Sequence, residues 1–210
     1  MSVYTNNLGK IRPLITRNET EINTIESPSF WISDVKQEDG SNKIQIELNS
    51  VRNWLKIKQL QGNTCTILPI DGQNGVFLKE GLPVNDKEQF RYEWKTDNEI
   101  KRLLAGDCDC LLLNEKWYFF EFKTDAISSN PPQLINNRNK GEMQLAKSLI
   151  SFREQLLDFN IQSICILVVP YFASFPKFKA DFARKIRFKQ LFKTTLEEVS
   201  IDGNFTYSLD

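Results

Sequence analysis

The sequence predicts a mixed α/β domain, a central β-sheet with helices packed on it, and three neighbouring segments carry that prediction. Residues 108–113 and 117–122 are dense apolar runs separated by the polar triplet Asn114-Glu115-Lys116, the pattern of a β-hairpin. Over residues 142–159 the apolar positions Leu145, Leu149, Phe152, Leu156 and Phe159 recur at steps of four and three, which is one face of an amphipathic helix. Residues 164–169 are then six apolar residues in a row, stopping at Pro170, as in a buried central strand. Hairpin, crossover helix and returning strand together describe one sheet with a helix on its face.

The remaining elements are read in chain order. Residues 1–40 are mostly polar, with a cluster only at Phe30, Trp31 and Ile32. Ile44, Ile46 and Leu48 alternate as in a strand, whereas residues 54–60 are apolar at mixed spacing and define no type. Residues 64–70 are strand-like and end at the turn Asp71-Gly72-Gln73-Asn74-Gly75; short strands are expected at 76–78 and 90–94. Residues 125–141, with Pro131, Pro132 and Gly141, read as a loop leading into the helix. Residues 177–193 read as a basic helix with Phe178, Phe182, Ile186 and Leu191 inward, and 194–210 as an acidic tail. Three regions follow: an accessory region at 1–75, a core at 76–193, and the tail at 194–210.

Composition limits the chemistry. The chain has 210 residues, 27 basic and 27 acidic side chains and no histidine. Without histidine, Ser-His-Asp and Cys-His catalysis and imidazole metal ligation are excluded. A hydrolase built from this chain must use carboxylates, lysine or a metal held by oxygen. Zero formal charge gives no general affinity for polyanions, though a local patch remains possible. Of the four cysteines only Cys108 and Cys110 are close, without zinc-finger spacing, so buried reduced thiols are expected. No apolar run is long enough for a membrane span, and the start MSVYTNNLGK has no apolar core. A cytoplasmic protein without membrane contact is the expectation.

The hairpin gathers chemistry. If Asn114-Glu115-Lys116 is the loop, Leu113 pairs with Trp117, and the same register sets Asp109 opposite Glu121, with Lys123 one step along that face. Cys108 and Cys110 then point the other way. Two carboxylates among aromatic residues repel and are poorly solvated unless a cation intervenes. A hard divalent ion such as Mg²⁺, or Mn²⁺ in its place, takes oxygen ligands and resolves the conflict. The lysine would orient or deprotonate a water, or stabilise developing charge.

Asp109, then Glu121-Phe122-Lys123, then a helix and an apolar strand, resembles the PD-(D/E)XK nuclease superfamily over about residues 90–170. The resemblance implies a restriction-endonuclease-like α-β-β-β-α-β core and Mg²⁺-dependent cleavage of phosphodiesters. It implies that Asp109 and Glu121 are metal ligands with the backbone carbonyl of Phe122, and that Lys123 acts on the attacking water. Gln144 matches a helix glutamine carried by many members. Cys108 stands where the motif has proline. Glu88 and Glu99 are candidates for the acid often found on the first core helix.

Each sharp reading has a plainer one beside it. Lys123 can simply pair with Glu121 while Asp109 caps a turn, and Gln144 can be a solvated helix residue. Asp107 reads as a turn residue after Gly106. The basic run can be a solvated face, or a phosphate-contacting surface in which Lys177 and Lys179, beside Phe175 and Phe178, touch nucleic acid. The expectation is a metal-dependent nuclease acting on nucleic acid, DNA first, with a homodimer possible. The alternative is a catalytically silent nucleic-acid-binding or interaction module with the same fold.

Overall fold

The computed structural model describes residues 3–12, 22–70, 107–124, 131–156, 158, 160–170, 179–201 and 206–209. In chain order these form α1 (Val3–Ile11), β1 (Asn23–Ile25), β2 (Ser29–Lys36), β3 (Asn42–Glu47), β4 (Leu55–Lys58), β5 (Cys65–Pro69), β6 (Cys110–Leu113) and β7 (Trp117–Phe122). Then follow α2 (Pro131–Leu156), β8 (Ser163–Pro170), α3 (Lys179–Phe192), β9 (Thr195–Ile201) and β10 (Thr206–Ser208). The fold is mixed α/β with two sheets. One has six strands in the order β1-β5-β6-β7-β8-β9, and the other has four in the order β10-β4-β2-β3.

Alternation along the strands shows how the layers stack. Leu111, Leu113, Trp117, Phe119, Cys165 and Leu167 point to one face, where they pack with Leu145, Leu149 and Phe152 of α2, Phe188 and Phe192 of α3, and Ile11 of α1. Cys110, Leu112, Tyr118, Phe120, Ile166 and Val168 point to the other, against Phe30, Ile32, Ile44, Leu55 and Ile57 of the second sheet. The six-stranded sheet therefore lies between a helical layer and a second sheet. Covering on both faces explains why β6 and β7 are apolar almost without interruption, and why every residue of β7 is buried.

The three predicted segments take their expected forms. Leu113 pairs with Trp117 and Cys110 with Phe120 across the hairpin. The chain then crosses through α2 to β8, which runs parallel to β7 with Glu121 beside Leu167. The strands expected around Ile44 and over 64–70 are β3 and β5. The turn at 71–75, the strands at 76–78 and 90–94, and both Glu88 and Glu99 lie outside the described residues.

Several boundaries are corrected. Residues 131–141 are not loop: α2 begins at Pro131 and runs through Gly141. Proline suits the first helical turn because its missing N–H would have no partner there. The polar stretch of residues 1–40 contains α1, β1 and β2, and the untyped apolar segment contains β4. The division at residue 75 does not follow the sheets, since β5 is hydrogen-bonded to β6 as Leu68 beside Leu111. Residues 194–210 are not a tail. Instead β9 continues the main sheet parallel to β8, and β10 joins β4. The two acids of β9 are engaged: Glu198 with Arg138 at 2.5 Å, and Glu197 accepts from the Tyr207 hydroxyl at 2.9 Å. In α3 Leu191 packs against the core as expected, beside Phe188 and Phe192, while Phe182 and Ile186 are exposed. Both pairs have i, i+4 spacing, so periodicity alone does not choose between them.

Candidate active site

Asp109 immediately precedes β6, Glu121 lies near the end of β7, and Lys123 follows β7. The hairpin register holds through Cys110 and Phe120 and then slips. The Asp109 amide also donates to the Phe120 carbonyl, at 3.1 Å, so two residues oppose one, the arrangement of a β-bulge. A bulge reverses the alternation, which corrects two expectations: Asp109 is not paired opposite Glu121, and Cys108 and Cys110 do not share a face. Cys108 packs with the helical layer and Cys110 with the second sheet.

The bulge turns the Asp109 side chain along the sheet, where Oδ2 accepts from the Phe122 amide at 2.5 Å. A residue's N–H and C=O point to the same side of a strand. The Phe122 carbonyl therefore faces the Asp109 side of β7, where the ladder to β6 has ended. Glu121 points instead toward α2, and its carboxylate pairs with the Lys123 ammonium. Exposure falls inward: the Lys123 side chain 18 %, Asp109 8 %, Glu121 0 %.

Helix α2 lies directly over this pair. A Cβ on Gly141 would sit 2.5 Å from Leu167 Cδ1, 3.3 Å from Glu121 Cγ and 3.5 Å from Lys123 Cε. Only glycine lets the helix backbone approach so closely. Three further α2 residues hold the segment leading to Asp109. Gln144 donates from Nε2 to the Asp107 carbonyl at 2.9 Å, Ser148 Oγ accepts from the Cys108 amide at 2.9 Å, and Lys147 lies 3.1 Å from the Asp107 carboxylate. Gln144 is thus buried in the middle of α2, not solvated at its start. Its Oε1 has no hydrogen-bond partner.

The electrostatics follow from burial. Burial, reinforced by the charges of Glu121 and Asp34, holds the Asp109 carboxyl well above its ordinary range, against the opposing effects of the Phe122 amide and Lys123. Burial alone would lower the Lys123 ammonium, but the charge and hydrogen bond of Glu121 outweigh it and raise its pKa. Lys123 is therefore a cation and a donor at neutral pH, not a base. All four thiols are free and buried. Burial pushes Cys65 up to about 12, and it raises Cys108, Cys110 and Cys165 as well, so none is a ready nucleophile.

The structure brings Asp109, Glu121 and Lys123 together, with the Phe122 backbone beside them and Gln144 one link away through Asp107. Lys177 lies outside the described residues, and of Lys179 only its place at the start of α3 is described. Sequence reasoning missed Gly141, Ser148 and Asp34. Gly141 had a signal, a glycine one residue before an amphipathic run. Asp34 had none, because it belongs to the other sheet. Among the described residues, no group of three or more Cys, Asp or Glu side chains is placed to hold a metal. None of their helices is long and apolar enough to cross a membrane. No family model, curated protein or solved structure matches the chain.

Proposed function

We propose that this chain is a divalent-metal-dependent nuclease-like protein that hydrolyses phosphodiester bonds, with DNA as the expected substrate and a restriction-endonuclease-like core. The observation that carries this reading is the convergence of Asp109, Glu121 and Lys123 at the same end of adjacent strands, with Glu121 and Lys123 beneath α2. The order β5, β6, β7, α2, β8 supports it: three antiparallel strands, a crossover helix and a parallel strand, with the acids at the second and third strands.

The donor set fits Mg²⁺, with Mn²⁺ as a substitute. Asp109, Glu121 and the Phe122 carbonyl offer oxygen only, and Mg²⁺ is commonly held by one or two carboxylates while keeping several waters. The Asp109 carboxyl, raised first by burial and then by the charges of Glu121 and Asp34, is one that a bound cation would lower. When bound, the ion would offset charge on a phosphoryl oxygen. Asp109 and Glu121 would hold it. Lys123, kept charged by Glu121, would donate to the attacking water or to a phosphate oxygen. With Glu121 fully buried, a substrate meets the site from the Asp109 and Lys123 side.

A second reading, a catalytically silent binding module of the same fold, is favoured by one observation. The groups already satisfy one another, Glu121 with Lys123 and Asp109 with the Phe122 amide. Thermal unfolding with and without Mn²⁺, followed by DNA cleavage assays, separates the two. The nuclease reading expects a Mn²⁺-dependent rise in midpoint that Asp109→Asn abolishes; saturation a hundredfold above Kd is worth about 2.7 kcal/mol. It also expects metal-dependent cleavage that is lost in a folded Glu121→Gln variant. No rise and no cleavage would leave the silent module.

A further inference from the structure

Helix α3 carries an exposed face that its packing does not use. Phe182 is 69 % and Ile186 42 % exposed, one turn apart, while the helix is held from its other side by Phe188 and Phe192. Lys185 and Lys189 are exposed on the same stretch, and Lys193 is exposed just beyond the helix. Leaving two large apolar side chains in water is unfavourable, and the α3 sequence carries five basic residues against the single acid Asp181. The face suits a partner that is polyanionic and also presents flat apolar surface.

Its position links it to the candidate active site. Arg184 of α3 donates to Asn139 and, at 2.8 Å, to Glu142 of α2. Glu142 is next in sequence to Gly141, the residue that lies on Glu121 and Lys123. Helix α3 therefore sits on the same face of the sheet as the site, alongside the helix that covers it.

The geometry points to this face of α3 as a binding surface for single-stranded nucleic acid, with Lys185 and Lys189 on phosphates and Phe182 stacked on a base. This rests on the nuclease reading for its destination and specifies its substrate, a strand whose bases are unpaired. Phosphate contacts alone do not separate strands from duplexes. An exposed phenyl ring does, because base faces are available for stacking only where the strand is open. A duplex offers its backbone and hides those faces.

The test is fluorescence anisotropy with a labelled 20-nucleotide single-stranded DNA and the matching duplex, in EDTA, across a range of KCl. Both variants change exposed positions, so folding is not in question. The single strand is expected to bind at least tenfold tighter than the duplex. Phe182→Ala is expected to weaken single-strand binding about tenfold and leave duplex binding unchanged. Lys185→Ala with Lys189→Ala is expected to weaken both and to reduce the single-strand salt slope by about 1.4, at about 0.7 per phosphate contact. Equal affinity for both probes, or single-strand binding indifferent to Phe182, overturns the proposal. So does self-association that disappears in Phe182→Ala, which would assign the face to a second copy of the chain. Because EDTA excludes metal, these outcomes are independent of the Mn²⁺ experiment, which tests the nuclease reading separately.

Discussion

Gly141 and Leu167 are packed so closely that a Cβ on the glycine would lie 2.5 Å from Leu167 Cδ1. This contact sets the height of α2 above β7 and β8. Gly141→Ala gains about 1 kcal/mol in helix propensity but overpacks a buried leucine, at about 1–3 kcal/mol. The expected net result is a loss of about 1 kcal/mol in urea unfolding. In a Leu167→Val background the same substitution should become neutral or stabilising. A double-mutant cycle with no coupling between the two positions would refute the contact.

Asp109 makes the metal-free protein pH-sensitive. Its carboxyl is held well above the ordinary range by burial and by Glu121 and Asp34, so the folded state keeps its proton more tightly than the unfolded chain. By linkage, stability contributed at this position falls as pH rises from the ordinary carboxylate value, near 3.8, through the raised one. Asp109→Asn retains an oxygen acceptor for the Phe122 amide and carries no titrating proton. In EDTA the variant is expected to be more stable than wild type at pH 7–8, with the difference closing toward pH 4. An unchanged difference across that range would show that Asp109 titrates as an ordinary carboxylate.

Arg153 ties three elements together at the end of the sheet opposite the candidate site. Its guanidinium donates to the Phe192 carbonyl at the end of α3, and at 3.3 Å to both Ser163 on β8 and Thr194 before β9. Arg153→Met keeps much of the apolar stem but removes the donors from buried acceptors, at an expected cost of about 2–3 kcal/mol in urea unfolding. Arg153→Lys should recover only part of this, because an ammonium does not reproduce the planar fork. Full recovery by lysine would show that charge alone matters there.

The legible parts of the fold were those in which burial and period point the same way. The hairpin register from Leu113–Trp117 to Cys110–Phe120 was legible because a three-residue polar loop joins two runs that are apolar on both faces. The helix after it was legible from Leu145 through Leu156, where the face toward the sheet is unbroken. Its first eleven residues were not, because Gly141 replaces a large core residue where α2 comes closest to β7 and β8. In α3 the exposed stripe of Phe182 and Ile186 imitates a core face, and only the position of β9 shows that Phe188 and Phe192 are the ones buried. Within the site, the pairing of Glu121 with Lys123 followed from strand alternation, which puts both on one face. The bulge at Asp109 did not, since it depends on where the β6 ladder ends.

By itself, then, the sequence determined the chemistry: no histidine, two acids and a lysine near one end of an apolar hairpin, and a crossover helix to return the chain. These are local properties, set by residue type and by spacings of two and of three to four. Tertiary structure alone decided which faces those spacings bury. It placed Asp34 of one sheet within electrostatic reach of Asp109 and Lys123 in the other. It also brought residues 195–201 back as a parallel strand beside β8, and laid Gly141 on Glu121. Such relationships join residues far apart in the chain, and their energies come from close packing and desolvation, which no short window of sequence contains.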